Sequence, residues 1–150
     1  MSLFNLSKFC KEKSIFIDSE TKEEIKVKNL LNYKKKFNLN FKQKKLALIF
    51  ADNSLSFLIN YYLFIVHNYL LMPIPALTDE KEIKEIIKKF RPTIIIIKSN
   101  IVAKNLRSYK KIKIIRDHQI LKIKKQNKYK INKNLSLLLT TSGSTGFKKF

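Results

Sequence analysis

The run TIIIIK, Thr93–Lys98, constrains the fold of this chain more than any other stretch. Four isoleucines in succession favour a strand, because a β-branched side chain packs well on a pleated surface and crowds a helix. Side chains alternate across a strand, so an all-apolar strand needs apolar partners on both faces. That is the signature of a sheet interior with helices on either side. KKLALIFAD contains a second such strand, Leu46–Phe50, and YLLMPIPA reads as a strand and turn interrupted by Pro73 and Pro75.

The intervening segments have helical periodicity. Leu55, Leu58, Ile59, Tyr62, Ile65 and Val66 share one face of a predicted helix over Asn53–His67, for which Asp52 and Asn53 are good N-caps. Phe57, Tyr61 and Phe64 make its other face apolar, so it should be buried on most sides. TDEKEIKEIIKKF is amphipathic, with Ile83, Ile86, Ile87 and Phe90 on one face. Its acids Asp79 and Glu80 come first and Lys88 and Lys89 last, matching the helix dipole, and Glu80–Lys84 and Glu85–Lys89 are well-oriented pairs. Strand, helix, strand, helix, strand with long crossovers predicts an α/β fold, a mainly parallel sheet flanked by helices.

The remainder is read more coarsely. SIFIDSETKEEIKV suggests two short strands, Ser14–Asp18 and Glu24–Val27, around a polar turn, with a short helix near Asn29–Phe37. A weaker helix, Asn100–Tyr109, leads to KIKII, another strand candidate. QNKYKINKN is a polar connection, and Leu135–Thr140 is expected to be a final strand.

No charged residue occurs between Asp52 and Asp79, a length that could cross a bilayer. Asn60, His67, Asn68, Pro73 and Pro75 interrupt it, which favours a buried soluble segment with no membrane span. Length fits one domain, and 45% hydrophobic residues fit a globular one. A single cysteine, Cys10, excludes an internal disulfide or zinc cluster. Together with an N-terminus lacking an apolar leader, it predicts a cytoplasmic location.

The formal charge is +21, and from Lys104 to Lys133 twelve lysines and arginines face one acid, Asp117. Such an excess invites nucleic acid or an anionic membrane. The abundance of Lys, Ile, Asn, Phe and Leu also follows from A/T-rich codons, and no specific nucleic-acid signature interrupts the run. Elsewhere, His67, His118 and Cys10 have no partner pattern and read as core or surface residues. Asp79, Glu80, Glu82 and Glu85 read as capping and pairing charges rather than a metal site.

Both glycines of the chain, Gly143 and Gly146, fall in TTSGSTGFKKF at residues 140–150. A Walker A loop would need glycine where Lys148 stands, and a dinucleotide turn would need it at Thr145. What remains is a strand feeding a loop of hydroxyls and glycines followed by lysine. Glycine lets backbone amides turn toward an anion, hydroxyls add donors, and lysine adds a point charge suited to phosphate. The chemistry points to polyphosphate. An ordinary surface turn is the plainer alternative, although this chain otherwise builds its turns from Asn, Asp, Ser and Lys.

Thr141–Lys149, TSGSTGFKK, resembles the phosphate loop of the AMP-forming adenylating enzymes, the acyl-CoA synthetases, luciferases and peptide-synthetase adenylation domains. Their pattern is T-S-G-S/T-T-G-x-P-K, and eight of nine positions satisfy it, Lys148 replacing proline. The order of elements from Leu46 to Ile97 is similar to that family's as well. The resemblance implies an ATP-dependent carboxylate ligase: with Mg²⁺, a small carboxylic acid attacks the α-phosphorus of ATP, giving an acyl-adenylate and pyrophosphate. The acyl group then passes to CoA or another acceptor. By position, Thr141, Ser142, Gly143, Ser144, Thr145, Gly146 and Lys149 would bind the ATP phosphates, with no catalytic residue or metal ligand assigned. It further implies that residues 1–150 are a partial N-terminal subdomain of an adenylation domain, ending just after the phosphate loop and inactive alone. The alternatives are a basic binding module for nucleic acid or anionic membrane, and an inactive remnant.

Overall fold

The computed structural model describes residues 15–39, 41, 43–99, 106–124 and 129–139. Seven strands and three helices are found among them. An N-terminal hairpin pairs β1 (Ile15–Ile17) with β2 (Glu24–Lys26), as expected from the alternation on either side of Asp18–Glu23. Helix α1 (Val27–Lys36) follows without a break, two residues earlier than the sequence predicts. Its last turn contains Lys34, Lys35 and Lys36, which suit the negative end of a helix.

The body is a five-stranded sheet in the order β4-β3-β5-β7-β6. β3 (Leu46–Ala51) lies between β4 (Leu70–Pro75) and β5 (Ile94–Lys98), parallel to both. Helix α2 (Leu55–Val66) links β3 to β4, and α3 (Glu80–Phe90) links β4 to β5. The two helices cover opposite faces. Ile59, Leu63 and Phe64 of α2 pack with Ala47, Ile49, Ile94 and Ile96, whereas Ile86 of α3 packs with Leu48, Phe50, Ile95 and Ile97. All four isoleucines of β5 are at most 2% exposed, which is the two-sided burial its sequence demands.

Beyond β5 the sheet departs from the mainly parallel expectation. β6 (Tyr109–Ile115) and β7 (His118–Ile123) form a hairpin, β7 running antiparallel to β5 and β6 antiparallel to β7. The sheet is therefore mixed, with two parallel and two antiparallel pairings. β7 is not foreseen in the sequence because its two-residue turn, Arg116–Asp117, has none of the usual glycine signals. Arg116 itself takes the left-handed conformation there, at φ 56°. Of the predicted helix Asn100–Tyr109, residues 100–105 lie outside the described residues, and Tyr109 begins β6.

Of the expected strand Leu135–Thr140, the described part makes one parallel bridge, Leu137 beside Leu71 at the free edge of β4. The Leu71 amide donates to Ser136 O at 3.0 Å and the Leu138 amide donates to Leu71 O at 2.8 Å. Among the described residues no helix is long and apolar enough to cross a membrane. The charge-free segment is divided between α2 and the buried strand β4 instead.

Candidate functional site

In an open sheet of this kind, ligands bind beyond the carboxyl ends of the strands, where neighbouring connections leave in opposite directions. That point falls here between β3 and β5, since β3 leads toward β4 and β5 leads toward the β6–β7 hairpin. A polar cleft of about 440 Å³ lies there, lined by the turn after β1, the start of α2, Lys98, Arg116 and Asp117.

The start of α2 organises the cleft. Its N-cap is Ser54 rather than the expected Asp52 or Asn53, and the Ser54 hydroxyl oxygen accepts from the Phe57 amide at 3.1 Å. Asp52 still contributes, accepting from the Ser54 amide at 3.1 Å and from its hydroxyl at 2.5 Å. Asp18 reaches over from the hairpin and accepts from the Leu55 amide at 3.2 Å, while its other oxygen accepts from Thr21 and Glu20 amides at 2.9 and 3.1 Å. The backbone amides of Thr21, Leu55 and Glu20, in that order, hold this carboxyl below its ordinary pKa despite its burial. The positive end of α2 is thus already occupied by a carboxylate of the chain itself.

The far wall is an ion network. Lys98 lies 4.0 Å from Asp52 and 3.8 Å from Asp117. Arg116 pairs with Glu23, and its Nε donates to Ser56 Oγ at 3.2 Å. His118 is only 1% exposed and its Nδ1 lies 2.9 Å from Asp117 Oδ1. Partial burial pushes the Asp117 carboxyl up, but hydrogen bonds from Ser56 and His118 outweigh it, leaving the pKa below the ordinary value. Each cation in the cleft already faces a carboxylate, so the network fixes the hairpin, α2, β5 and the β6–β7 turn to one another. Among the described residues, no group of three His, Cys, Asp or Glu side chains could hold a metal ion.

All seven residues expected to bind phosphate, Thr141, Ser142, Gly143, Ser144, Thr145, Gly146 and Lys149, lie outside the described residues, as do Lys148 and Cys10. The structure does describe the segment leading to them. The parallel bridge at Leu137 directs Leu138 and Leu139 toward the carboxyl ends of β4 and β3. That segment is about two and a half strand spacings, roughly 12 Å, from the β3–β5 boundary. The cleft residues Asp18, Ser56, Lys98, Arg116 and Asp117 carry no motif, and only the position of Lys98 at the end of a buried strand hints at them. Of the two histidines, His118 is buried beneath this cleft and His67 caps the far end of α2 against Phe37. Asp79 caps α3, accepting from the Glu82 amide at 2.8 Å, which is the capping role its position suggests.

Comparison with models of protein families gives no match, and comparison with curated proteins gives none either.

Proposed function

We propose that this chain is the N-terminal part of an ATP-dependent carboxylate ligase of the AMP-forming kind, joining a small carboxylic acid to AMP and passing the acyl group to CoA or another acceptor. The observation that carries this reading is the parallel bridge of Leu137 to Leu71 at the edge of β4. It runs the chain toward the carboxyl end of the sheet, and Thr141–Lys149 follows at once with its glycines, hydroxyls and lysine. A polyphosphate loop belongs at that end. There its amides and hydroxyls would face the β- and γ-phosphates of ATP, and Lys149 would offset charge growing on the departing pyrophosphate. ATP brings Mg²⁺ as its counter-ion, and the described residues offer no ligand set for it.

Carboxylate-dependent exchange of labelled pyrophosphate into ATP tests the reading, using the protein together with whatever coding sequence follows Phe150. Exchange should be present, and Lys149→Ala should lower it by about 10²-fold, the usual loss when one donor to developing charge is removed. Lys148→Ala should cost much less. Equal losses would place the wrong lysine at the phosphates, and no exchange across short, long, aromatic and amino-acid carboxylates would reject the ligase reading. At the Thr141–Lys149 loop, residues 1–150 alone should bind ATP no tighter than about 1 mM, or ~4 kcal/mol, because a few water-exposed phosphate contacts must also offset ordering of the loop.

A further inference from the structure

The amino end of the sheet has a cavity of about 380 Å³, lined by Gln43, Lys44, Asn68, Lys130, Ile131 and Lys133. A smaller hollow of about 110 Å³ shares Gln43, Lys44 and Asn68 with it and adds Lys45. Neither lining includes a carboxylate. Lys44 is half-buried, and its ammonium donates to the Lys133 carbonyl at 3.0 Å, which positions it at the rim of the cavity. Partial burial pushes the Lys44 pKa down.

The lysines are not there to serve the nearby helix end. Three of the last four carbonyls of α2 are already taken, Leu63 by the His67 amide, Phe64 by Tyr69 and Ile65 by Asn68. Nor do the lysines pair with acids among the described residues. The described acids all lie in the N-terminal hairpin, at Asp52 and Asp117, or along α3. A codon bias toward lysine sets how many lysines the chain has, but it does not clear carboxylates from one end of a sheet. Three ammonium groups with two neutral amides around a concavity repel one another until an anion enters. Lysine ammoniums suit phosphate, and the volume is in the range of about 300–1,000 Å³ typical of small-molecule sites.

We propose that this basin binds a small compound bearing a di- or triphosphate group, at the opposite end of the sheet from the Lys98–Arg116 cleft and independently of the Thr141–Lys149 motif. Inorganic pyrophosphate is the probe, titrated into the 150-residue chain by calorimetry with lysine side-chain NMR, first unaltered and then with Lys148→Gln and Lys149→Gln silencing the motif. Saturable binding should persist in the silenced chain. On that background Lys44→Gln and Lys133→Gln should each weaken it at least tenfold, and Lys88→Gln with Lys89→Gln on α3 less than twofold. Circular dichroism checks each variant, and should Lys44→Gln disturb folding, the exposed Lys133 decides. Loss of binding on silencing the motif would overturn the proposal, as would equal weakening by the α3 pair, which would mean net charge alone. Tighter binding of a single-stranded RNA, insensitive to which lysines are removed, would overturn it in favour of a nucleic-acid surface. Pyrophosphate exchange, which depends on Lys149, is a separate readout, so this site and the ligase reading can fail independently.

Discussion

Replacing Ile95 or Ile96 by alanine should destabilise the fold heavily and by similar amounts, although the two side chains point to opposite faces. Ile95 lies between Leu48 of β3 and Leu121 of β7 under α3, and Ile96 between Ile49 and Ile120 under α2. Both are 0% exposed. Each change removes three buried carbons, about 2.5 kcal/mol of transfer free energy at ~0.8 kcal/mol per carbon. Neighbours held in a sheet collapse only partly into the space, which brings the expected loss to roughly 3–4 kcal/mol. Ile114, on the outer strand and 51% exposed, supplies the control. Its replacement leaves no closed cavity, so about 1 kcal/mol or less is expected. Urea unfolding followed by far-UV circular dichroism measures all three, and the chain has no tryptophan to report instead. If Ile96→Ala costs several kcal/mol while Ile95→Ala costs no more than Ile114→Ala, then α3 does not cover its face and the two-sided sheet is wrong.

Tyr109→Phe should cost about 1–2 kcal/mol in the same assay, because the buried Tyr109 hydroxyl donates to the Pro92 carbonyl at 2.8 Å; no change would mean that water replaces the bond. Asp18, with its carboxyl held below the ordinary value, contributes stability above about pH 4 that is lost as pH falls through its native pKa. Asp18→Asn should therefore flatten the acid side of the stability–pH curve, and an unchanged acid limb would contradict the Asp18–Leu55 contact. Lys22 sits at φ 57°, where a side chain costs about 1–2 kcal/mol. Lys22→Gly should then raise stability by roughly 0.5–1 kcal/mol, net of about 0.5–1 kcal/mol of added chain entropy; a fall would refute the left-handed turn.

The three buried strands and the two long helices were legible because each depends on local periodicity that burial reinforces. Four isoleucines in a row favour a covered strand, and Ile83, Ile86, Ile87 and Phe90 meet a sheet as one helical stripe. What was not legible depends on partners distant in sequence. β7 reads His-Gln-Ile-Leu-Lys-Ile, neither alternating nor uniformly apolar, and becomes a strand because β5 offers it a full ladder from Lys98 to Ile94. The carboxyl-end cleft was hidden for the same reason. Asp18 and Leu55, or Glu23 and Arg116, acquire meaning only when the hairpin folds back onto α2. The Thr141–Lys149 motif is the reverse case: the phosphate proposal rests on residue types in nine positions that lie outside the described residues, and on no tertiary contact.

The turns of the described chain bear on why those nine positions matter. Lys22, Asn68, Arg91 and Arg116 all adopt positive φ, between 44° and 63°, at points where glycine would be free of steric cost. Arg91 does so at the end of α3, where glycine is the usual residue. Asparagine tolerates that region, but lysine and arginine do not, and a chain that accepts the penalty three times with those residues does not need glycine merely to turn. A left-handed residue alone is therefore an insufficient reason for Gly143 and Gly146. On the proposed ligase reading these glycines serve close approach instead, a backbone that comes within hydrogen-bonding distance of a bulky anion with no Cβ between them. Gly143→Ala and Gly146→Ala separate the two explanations. If the glycines serve approach, each should abolish pyrophosphate exchange while changing stability by less than about 1 kcal/mol, as surface substitutions usually do. A large loss of stability with exchange retained per folded molecule would make them turn residues after all, and the phosphate reading would lose its strongest residue-level support.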